Sequence, residues 1–313
     1  MIVVKDLVKR YGDRCAVDHL SFTIEEGKIY GFLGPNGAGK STTLNIVTGY
    51  LSATEGSVTV DGHDIAAEPE KAKAAIGYLP EIPPLYDEMT VEEYLTFAAE
   101  LKGVKKAEMA AQVQKVVSLA HLEDVFPRLI RNLSKGYRQR VGLAQAMLGQ
   151  PKVLIFDEPT VGLDPKQITE IRSLIRTLAK DHTVILSSHI LSEIQAVCDE
   201  VLILHHGKLV ASDTVENLET RLSGAAVLSA EIRGSQSAVE KLLSSLNGAA
   251  SFRVTEAEGV CSAEITCQKG CDIREALFFA LADARLPLLM LRFEEASLEK
   301  VFLELTREEE VEE

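Results

Sequence analysis

Apolar residues along the chain fall into two kinds of run, and their alternation predicts most of the architecture. KIYGFLG near the start, Val153–Phe156 in PKVLIFDEPT, and TVILSS further on are short apolar stretches. Such runs suit strands buried on both faces of a parallel sheet. Between the first two, residues 90–150 read as mostly helical. TVEEYLTFAAELKG opens on Thr90 with Glu93 three residues later, a capping-box pattern. AEMAAQVQKVVSLAHL sets Val113, Val116, Val117 and Ala120 on one helical face. RNLSKGYRQRVGLAQAMLGQ reads as a helix with an apolar stripe, capped by Ser134.

After HHGKLVASDTVENLETRL the rhythm changes. AVLSAEIRG is strand-like, and SAVEKLLSSL places Val239, Leu242, Leu243 and Leu246 at helical spacing. SFRVTEAEG and VCSAEITC follow as two strands; in the second, Cys261, Ala263, Ile265 and Cys267 alternate with polar residues and mark a buried face. DIREALFFALADA predicts a helix with Ile273, Ala276, Leu277 and Ala280 inward, opened by Asp272 with Glu275 three residues on. LPLLMLRFEE is a further strand. The order is βαββαβ, the split motif of ferredoxin-like domains. A last helix, SLEKVFLELT, would present Leu298, Val301, Phe302 and Leu305 before a solvated, disordered acidic tail, REEEVEE. The fold class expected is therefore α/β, with a helical subdomain (about 90–150) inside a first domain over 1–220, and a small α+β domain over 221–313.

Composition narrows the setting. The chain has 313 residues, 46% of them hydrophobic, with no Trp. No apolar run approaches the roughly 18 residues that span a bilayer. The first residues, MIVVKDLVKRYGD, carry charges inside every short apolar run, unlike a signal peptide. The five cysteines are odd in number and scattered, as reduced thiols are. Cys261, Cys267 and Cys271 lack the fourth ligand of a zinc site, so packed core thiols are expected. The net charge of −14 comes without a basic stripe, which argues against nucleic acid as a main partner.

The chemistry starts at Gly34. GPNGAGKSTT, from Gly34 through Pro35, Asn36, Gly37, Ala38, Gly39, Lys40, Ser41 and Thr42 to Thr43, has the form G-x-x-x-x-G-K-[ST]. Backbone amides there can wrap a phosphate chain, Lys40 adds a point charge for the outer phosphates, and the Ser41 hydroxyl can ligate Mg²⁺. The following STTLNIVTG reads as a helix whose N-terminus faces the phosphates. The strand Val153–Phe156 ends in Asp157 and Glu158, where loops at carboxyl ends build sites. Asp157 is placed to hold Mg²⁺ through its water shell, and Glu158 to orient or deprotonate an attacking water. Lys40 and Asp157 lie far apart for a minimal βαβ unit of about 30 residues, so the helical stretch is an insertion. Ser134, the Gly136 amide and a helix N-terminus could form a second anion-binding corner, although the fragment alone reads as an ordinary N-capped helix.

In combination these motifs resemble the ATP-binding cassette (ABC) family over residues 2–220. LSKGYRQR is similar to the family's signature sequence and lies upstream of the DEPT strand. The resemblance implies further positions. Tyr11 would stack on adenine, Val161-Gly162-Leu163-Asp164-Pro165 would be the D-loop, and His189 in Ser187-Ser188-His189 would be the switch histidine. Gly77-Tyr78-Leu79-Pro80-Glu81 takes the place of the Q-loop, with Glu81 where the family has Gln, in reach of Mg²⁺ or its water shell. The signature pentad ends in Tyr137 rather than Gln, which spares Ser134 and Gly136.

The family pattern implies an ATPase that uses ATP and Mg²⁺. It implies a head-to-tail dimer, a homodimer or a heterodimer with a related ATPase, with each ATP completed by the partner's signature. It also implies a separate transmembrane permease that docks a short helix near Glu81 through Leu95, around Tyr86 and Tyr94. GYLPE, LSKGYRQR, SSHILSE and SLEKVFLELT resemble the ATPase subunits of ABC-2-type exporters, the group of drug, bacteriocin, sodium and gliding-motility exporters. The expected place is the cytoplasmic face of the membrane. The alternatives are an importer ATPase with a ligand-sensing C-terminal domain, a non-transport ABC protein of translation or repair, and a binding-only regulator. Glu81 and SLEKVFLELT count against the first, a single cassette without coiled-coil or zinc insertions against the second, and intact Lys40, Asp157 and Glu158 against the third.

Overall fold

The computed structural model describes residues 1–222, 227–268 and 271–294. The backbone divides into two compact units, one spanning Met1–Thr214 and a second beginning at Val215. The first opens with β1 (Ile2–Tyr11), β2 (Arg14–Ile24), β3 (Ile29–Leu33), α1 (Lys40–Val47), β4 (Glu55–Val60), β5 (His63–Asp64), α2 (Pro69–Ala74) and β6 (Ile76–Leu79). Three helices follow, α3 (Val91–Leu101), α4 (Lys106–Leu119) and α5 (Lys135–Met147). The unit closes with β7 (Val153–Asp157), α6 (Pro165–Leu178), β8 (Thr183–Ser188), α7 (Leu191–Val197), β9 (Glu200–His205) and β10 (Lys208–Thr214).

The strands form two sheets, one antiparallel in the order β2-β1-β4-β5 and one in the order β10-β9-β3-β8-β7-β6. In the second, β9, β3, β8, β7 and β6 run parallel, and only β10 is antiparallel. Every residue of β3, β7 and β8 is buried, as their continuous apolar runs require. The strands that carry the phosphate loop and the acidic pair are not neighbours, because β8 lies between them. Leu33 faces Ser188 across one ladder and Asp157 faces Ser187 across the next. Three carboxyl ends therefore reach one edge, the place where open α/β sheets build sites. One core joins the two sheets, with Phe22 meeting Phe32 edge-on at 5.3 Å. Each such fully buried side chain is worth roughly 1.5–3 kcal/mol.

Helices α3, α4 and α5 pack on one another as the expected insertion between β6 and β7. Thr90 and Glu93 form the anticipated capping box. The Thr90 hydroxyl accepts from the Glu93 N–H at 3.2 Å, and the Glu93 carboxylate accepts from the Thr90 N–H at 2.8 Å. Val113, Val116, Val117 and Ala120 are all buried.

The second unit contains α8 (Val215–Leu222), β11 (Val227–Arg233), α9 (Gln236–Ser244), β12 (Ala249–Ala257), β13 (Val260–Cys267), α10 (Arg274–Asp283) and β14 (Leu288–Glu294). Its four strands are antiparallel in the order β12-β13-β11-β14. Cys261, Ala263, Ile265 and Cys267 line the buried face with Leu228, Ala230 and Ile232, under Val239, Leu243 and Leu277. Cys271 is exposed, and among the described residues no group of three or more His, Cys, Asp or Glu side chains could hold a metal ion.

Helix α10 departs from its expected frame. Ile273, Leu277 and Leu281 are buried, while Ala276 is exposed and Ala280 half-buried. Asp272 makes no capping box: its carboxylate accepts from the backbone N–H of Arg274 at 3.0 Å and pairs with that guanidinium at 2.6 Å. The first residue of the helix satisfies the acid, and Ile273 takes the N-cap position without a side-chain cap. SLEKVFLELT and REEEVEE lie outside the described residues. No helix among those described is long and apolar enough to cross a membrane.

Candidate functional site

The loop from Gly34 to Gly39 joins β3 to α1 under tight steric limits. Gly39 caps α1 with φ 98°, and a Cβ there would stand 2.6 Å from the Ala16 carbonyl oxygen. Both the left-handed backbone and the contact call for glycine. A Cβ on Gly34 would strike the Leu204 carbonyl oxygen and sit 2.9 Å from the Ala38 Cβ. Ala38 is buried, which turns the loop's backbone rather than its side chain outward. Lys40 is 6% exposed, and its ammonium donates to the carbonyls of Gly34 at 2.7 Å and Pro35 at 3.3 Å.

At the end of β7, Asp157 is buried and accepts from the Ser187 hydroxyl at 2.5 Å. The Ser187 oxygen accepts in turn from the Glu158 backbone N–H at 2.9 Å. Glu158 is buried and adopts φ 49°. A left-handed conformation in a bulky acid costs of order 1–3 kcal/mol and clusters at functional positions. It aims the carboxylate at two cationic or ionisable groups. Glu158 Oε1 is 3.5 Å from Lys40 Nζ, and Oε2 is 2.9 Å from His189 Nδ1. An acid, an ammonium and an imidazole from three strand ends thus converge, a set able to accept a proton beside a site for anionic oxygen.

These groups open on a cavity of about 520 Å³. Tyr11, about half exposed, lines it with Asn36, Gly37, Gly39, Lys40, Ser41 and Thr42, and so do Glu81, Glu158 and His189. Val161 of the expected D-loop also lines it, as do Arg14 and Ala16, two residues that sequence reasoning passed over. Arg14 carried a weak signal, as a lone cation three residues beyond the aromatic. Ser41 and Glu81 also border an adjoining cavity of about 730 Å³ that includes Asp157. The one hydroxyl and two carboxylates that line this cavity are hard oxygen donors. That set fits Mg²⁺, which keeps several waters and completes its shell with substrate phosphate. Burial, then the Asp157 charge, pushes the nearby Tyr78 phenol up, so it stays a neutral donor to Asn45 Oδ1 at 3.0 Å.

Ser134 and Gly136 line neither cavity. The Ser134 hydroxyl caps α5, accepting from the Tyr137 N–H at 3.4 Å. Gly136 lies against Gln167, and Gly162 against Lys135. The corner therefore packs on the loop after Glu158 and not on the phosphate loop. Asp164 and Gln167 close a capping box there that sequence reading did not single out. Tyr86 meets Tyr94 edge-on at 6.1 Å and Phe97 at 5.7 Å, beside a cavity of about 700 Å³ that also includes Leu101 and Lys102. Burial raises the Tyr94 phenol to about 12.

A family model described as "ABC transporter" matches residues 17–161. The chain is 40% identical over 223 residues to the bacitracin transport ATP-binding protein BcrA of Bacillus licheniformis, covering 71% of this chain and 72% of that protein. It is 31% identical over 307 residues to the linearmycin resistance ATP-binding protein LnrL of Bacillus subtilis (strain 168), covering 98% of each. Among solved structures, the dimeric post-hydrolysis state of the ATP-binding cassette MJ0796 bound to ADP and Pi superposes with a TM-score of 0.63 at 25% identity. That match covers 68% of this chain and 98% of the cassette.

Proposed function

The chain belongs to the ABC transporter ATP-binding family, and from that premise we propose that it is the ATPase subunit of an ABC-2-type exporter. The observation that carries the reading is the convergence of Lys40, Glu158 and His189 on one cavity, with the Ser134–Gly136 corner outside it. A site built that way is completed by a second copy or a related ATPase, head to tail.

Each residue then has a task. The amides from Gly34 to Thr42 and the Lys40 ammonium bind the phosphates, and Tyr11 stacks on the adenine. Ser41, Asp157 and Glu81 would hold Mg²⁺, which when bound neutralises charge on the phosphate oxygens. Glu158 accepts the proton of the attacking water, and His189 orients that carboxylate through the Nδ1 contact. The partner's Ser134 hydroxyl and Gly136 amide stabilise negative charge on the outer phosphate. Loss of that phosphate removes the bond between copies and lets them separate.

The names of the relatives, bacitracin transport and linearmycin resistance, support the exporter class. The Tyr86–Tyr94–Phe97 cavity suits a short helix of a separate permease, which would hold the chain at the cytoplasmic face of the membrane. The βαββαβ order of the second unit, with strands β12-β13-β11-β14, supports a ferredoxin-like domain that aids dimerisation or regulation. The domain division proposed from the sequence, 1–220 and 221–313, falls within α8, a few residues after the Thr214 boundary of the first compact unit. Purification from mildly solubilised membranes tests the assignment. A stoichiometric multi-helix membrane protein is the expected companion; ribosomes or repair proteins in its place would refute transport while leaving the ATPase intact.

A further inference from the structure

Glu193, in the first turn of α7, is a carboxylate only 6% exposed that none of the steps above uses. Its Oε2 accepts two hydroxyl protons, from Thr160 at 2.5 Å and from Ser188 at 3.0 Å. Both donors are buried. The Ser188 oxygen also accepts from the Ile190 N–H at 3.0 Å. Thr160 stands two residues after Glu158, in a turn closed by the Val161 N–H donating to the Glu158 carbonyl at 3.3 Å. Ser188 immediately precedes His189.

The β7–β8 ladder ends at the pair Asp157 and Ser187. Beyond it, side-chain bonds must set the spacing of the two loops. The Ser187 hydroxyl makes one such link, and a single oxygen of Glu193 makes the other, gripping the Glu158 loop and the His189 loop together. Short hydroxyl–carboxylate bonds such as that from Thr160 are among the stronger hydrogen bonds, and both donors to Glu193 are buried, away from competing water. We infer that Glu193 is a positioning residue for hydrolysis, fixing the 2.9 Å contact between Glu158 and His189 through Thr160 and Ser188. This rests on Glu158 and His189 as the hydrolytic pair.

The test is steady-state ATP hydrolysis, with binding of a non-hydrolysable ATP analogue, for Glu193→Ala, Glu193→Gln, Thr160→Val, Ser188→Ala and Glu158→Gln. A misplacement of about 1 Å costs on the order of 10²-fold in rate. Glu193→Ala is therefore expected to lose about that much kcat, with KM for ATP and analogue affinity unchanged. Glu193→Gln, whose amide oxygen still accepts both hydroxyls, restores most of it. Adding Glu193→Ala to Glu158→Gln costs no further rate, because the lesions act through one group. Wild-type kcat in Glu193→Ala overturns the inference. So does a loss that follows analogue binding and adds in full to that of Glu158→Gln. If Glu193→Ala fails to fold, Thr160→Val and Ser188→Ala decide: reduced kcat at constant KM supports the role, and wild-type kcat in both refutes it. Full turnover in Glu158→Gln would instead refute the hydrolytic pair itself.

Discussion

Glu158→Gln separates binding from hydrolysis most cleanly. The substitution keeps the volume of the side chain and does not touch the backbone bond from Glu158 N–H to Ser187, so the φ 49° turn survives. What is lost is a proton acceptor and a negative charge. General-base catalysis contributes typically 10²–10⁴-fold, or about 3–5 kcal/mol of barrier, and kcat should fall within that range. The charge acts in the opposite sense on binding. At 3.5 Å from Lys40, and with an effective dielectric of about 20, Glu158 attracts the ammonium by roughly 5 kcal/mol before desolvation is subtracted. A phosphate that recruits Lys40 competes with this attraction, and in the variant it no longer does. Affinity for ATP should therefore stay level or rise while phosphate release stalls, leaving an ATP-bound dimer visible by size exclusion. Phosphate release measured beside equilibrium nucleotide binding gives both quantities. Unchanged turnover would remove Glu158 from its role, and weakened binding would refute the electrostatic part of the argument.

Three further outcomes follow from the same geometry. A heterodimer with Ser134→Ala in one copy and Lys40→Ala in the other should retain one working site; loss of both sites in a nucleotide-hydrolysis assay would place Ser134 beside its own phosphate loop. Gly39→Ala should abolish nucleotide binding in a filter or fluorescence assay, since φ 98° and the Ala16 carbonyl leave no room for a Cβ; near-normal affinity would refute that packing. The Arg274 guanidinium and backbone hold the Asp272 carboxyl at about 2, below its ordinary 3.8. A lowered folded value means its stabilising contribution is present above pH 3.8 and fades as the pH falls through about 2. Carboxyl NMR titration should find that low midpoint, and Arg274→Gln should return it toward the ordinary value; no movement would show that Arg274 is not the cause.

Local patterns were legible without coordinates. The Thr90–Glu93 box, the buried face of α4 and the alternation of Cys261 to Cys267 depend on neighbours within a few residues, so spacing alone encodes them. The phosphate loop belongs to the same class, because glycine spacing and one lysine specify a backbone that can wrap phosphate. Even locally there was a limit: Asp272 had two nearby donors to choose from, and the Arg274 beside it won over a cap.

Sequence by itself therefore carried the short buried strands, the inserted helices and the motifs by which the chain resembles its family. Tertiary structure alone decided how distant pieces meet. Strand β8 inserts between β3 and β7, and so sets Lys40, Glu158 and His189 at one edge. The same packing buries Glu193 against Thr160, a residue 33 positions away, and sets Gly136 against Gln167 and Lys135 against Gly162, away from the phosphate loop of the same chain. Strand order in a parallel sheet is fixed by long crossovers and by total burial. Neither leaves a local periodicity that could be read along the chain.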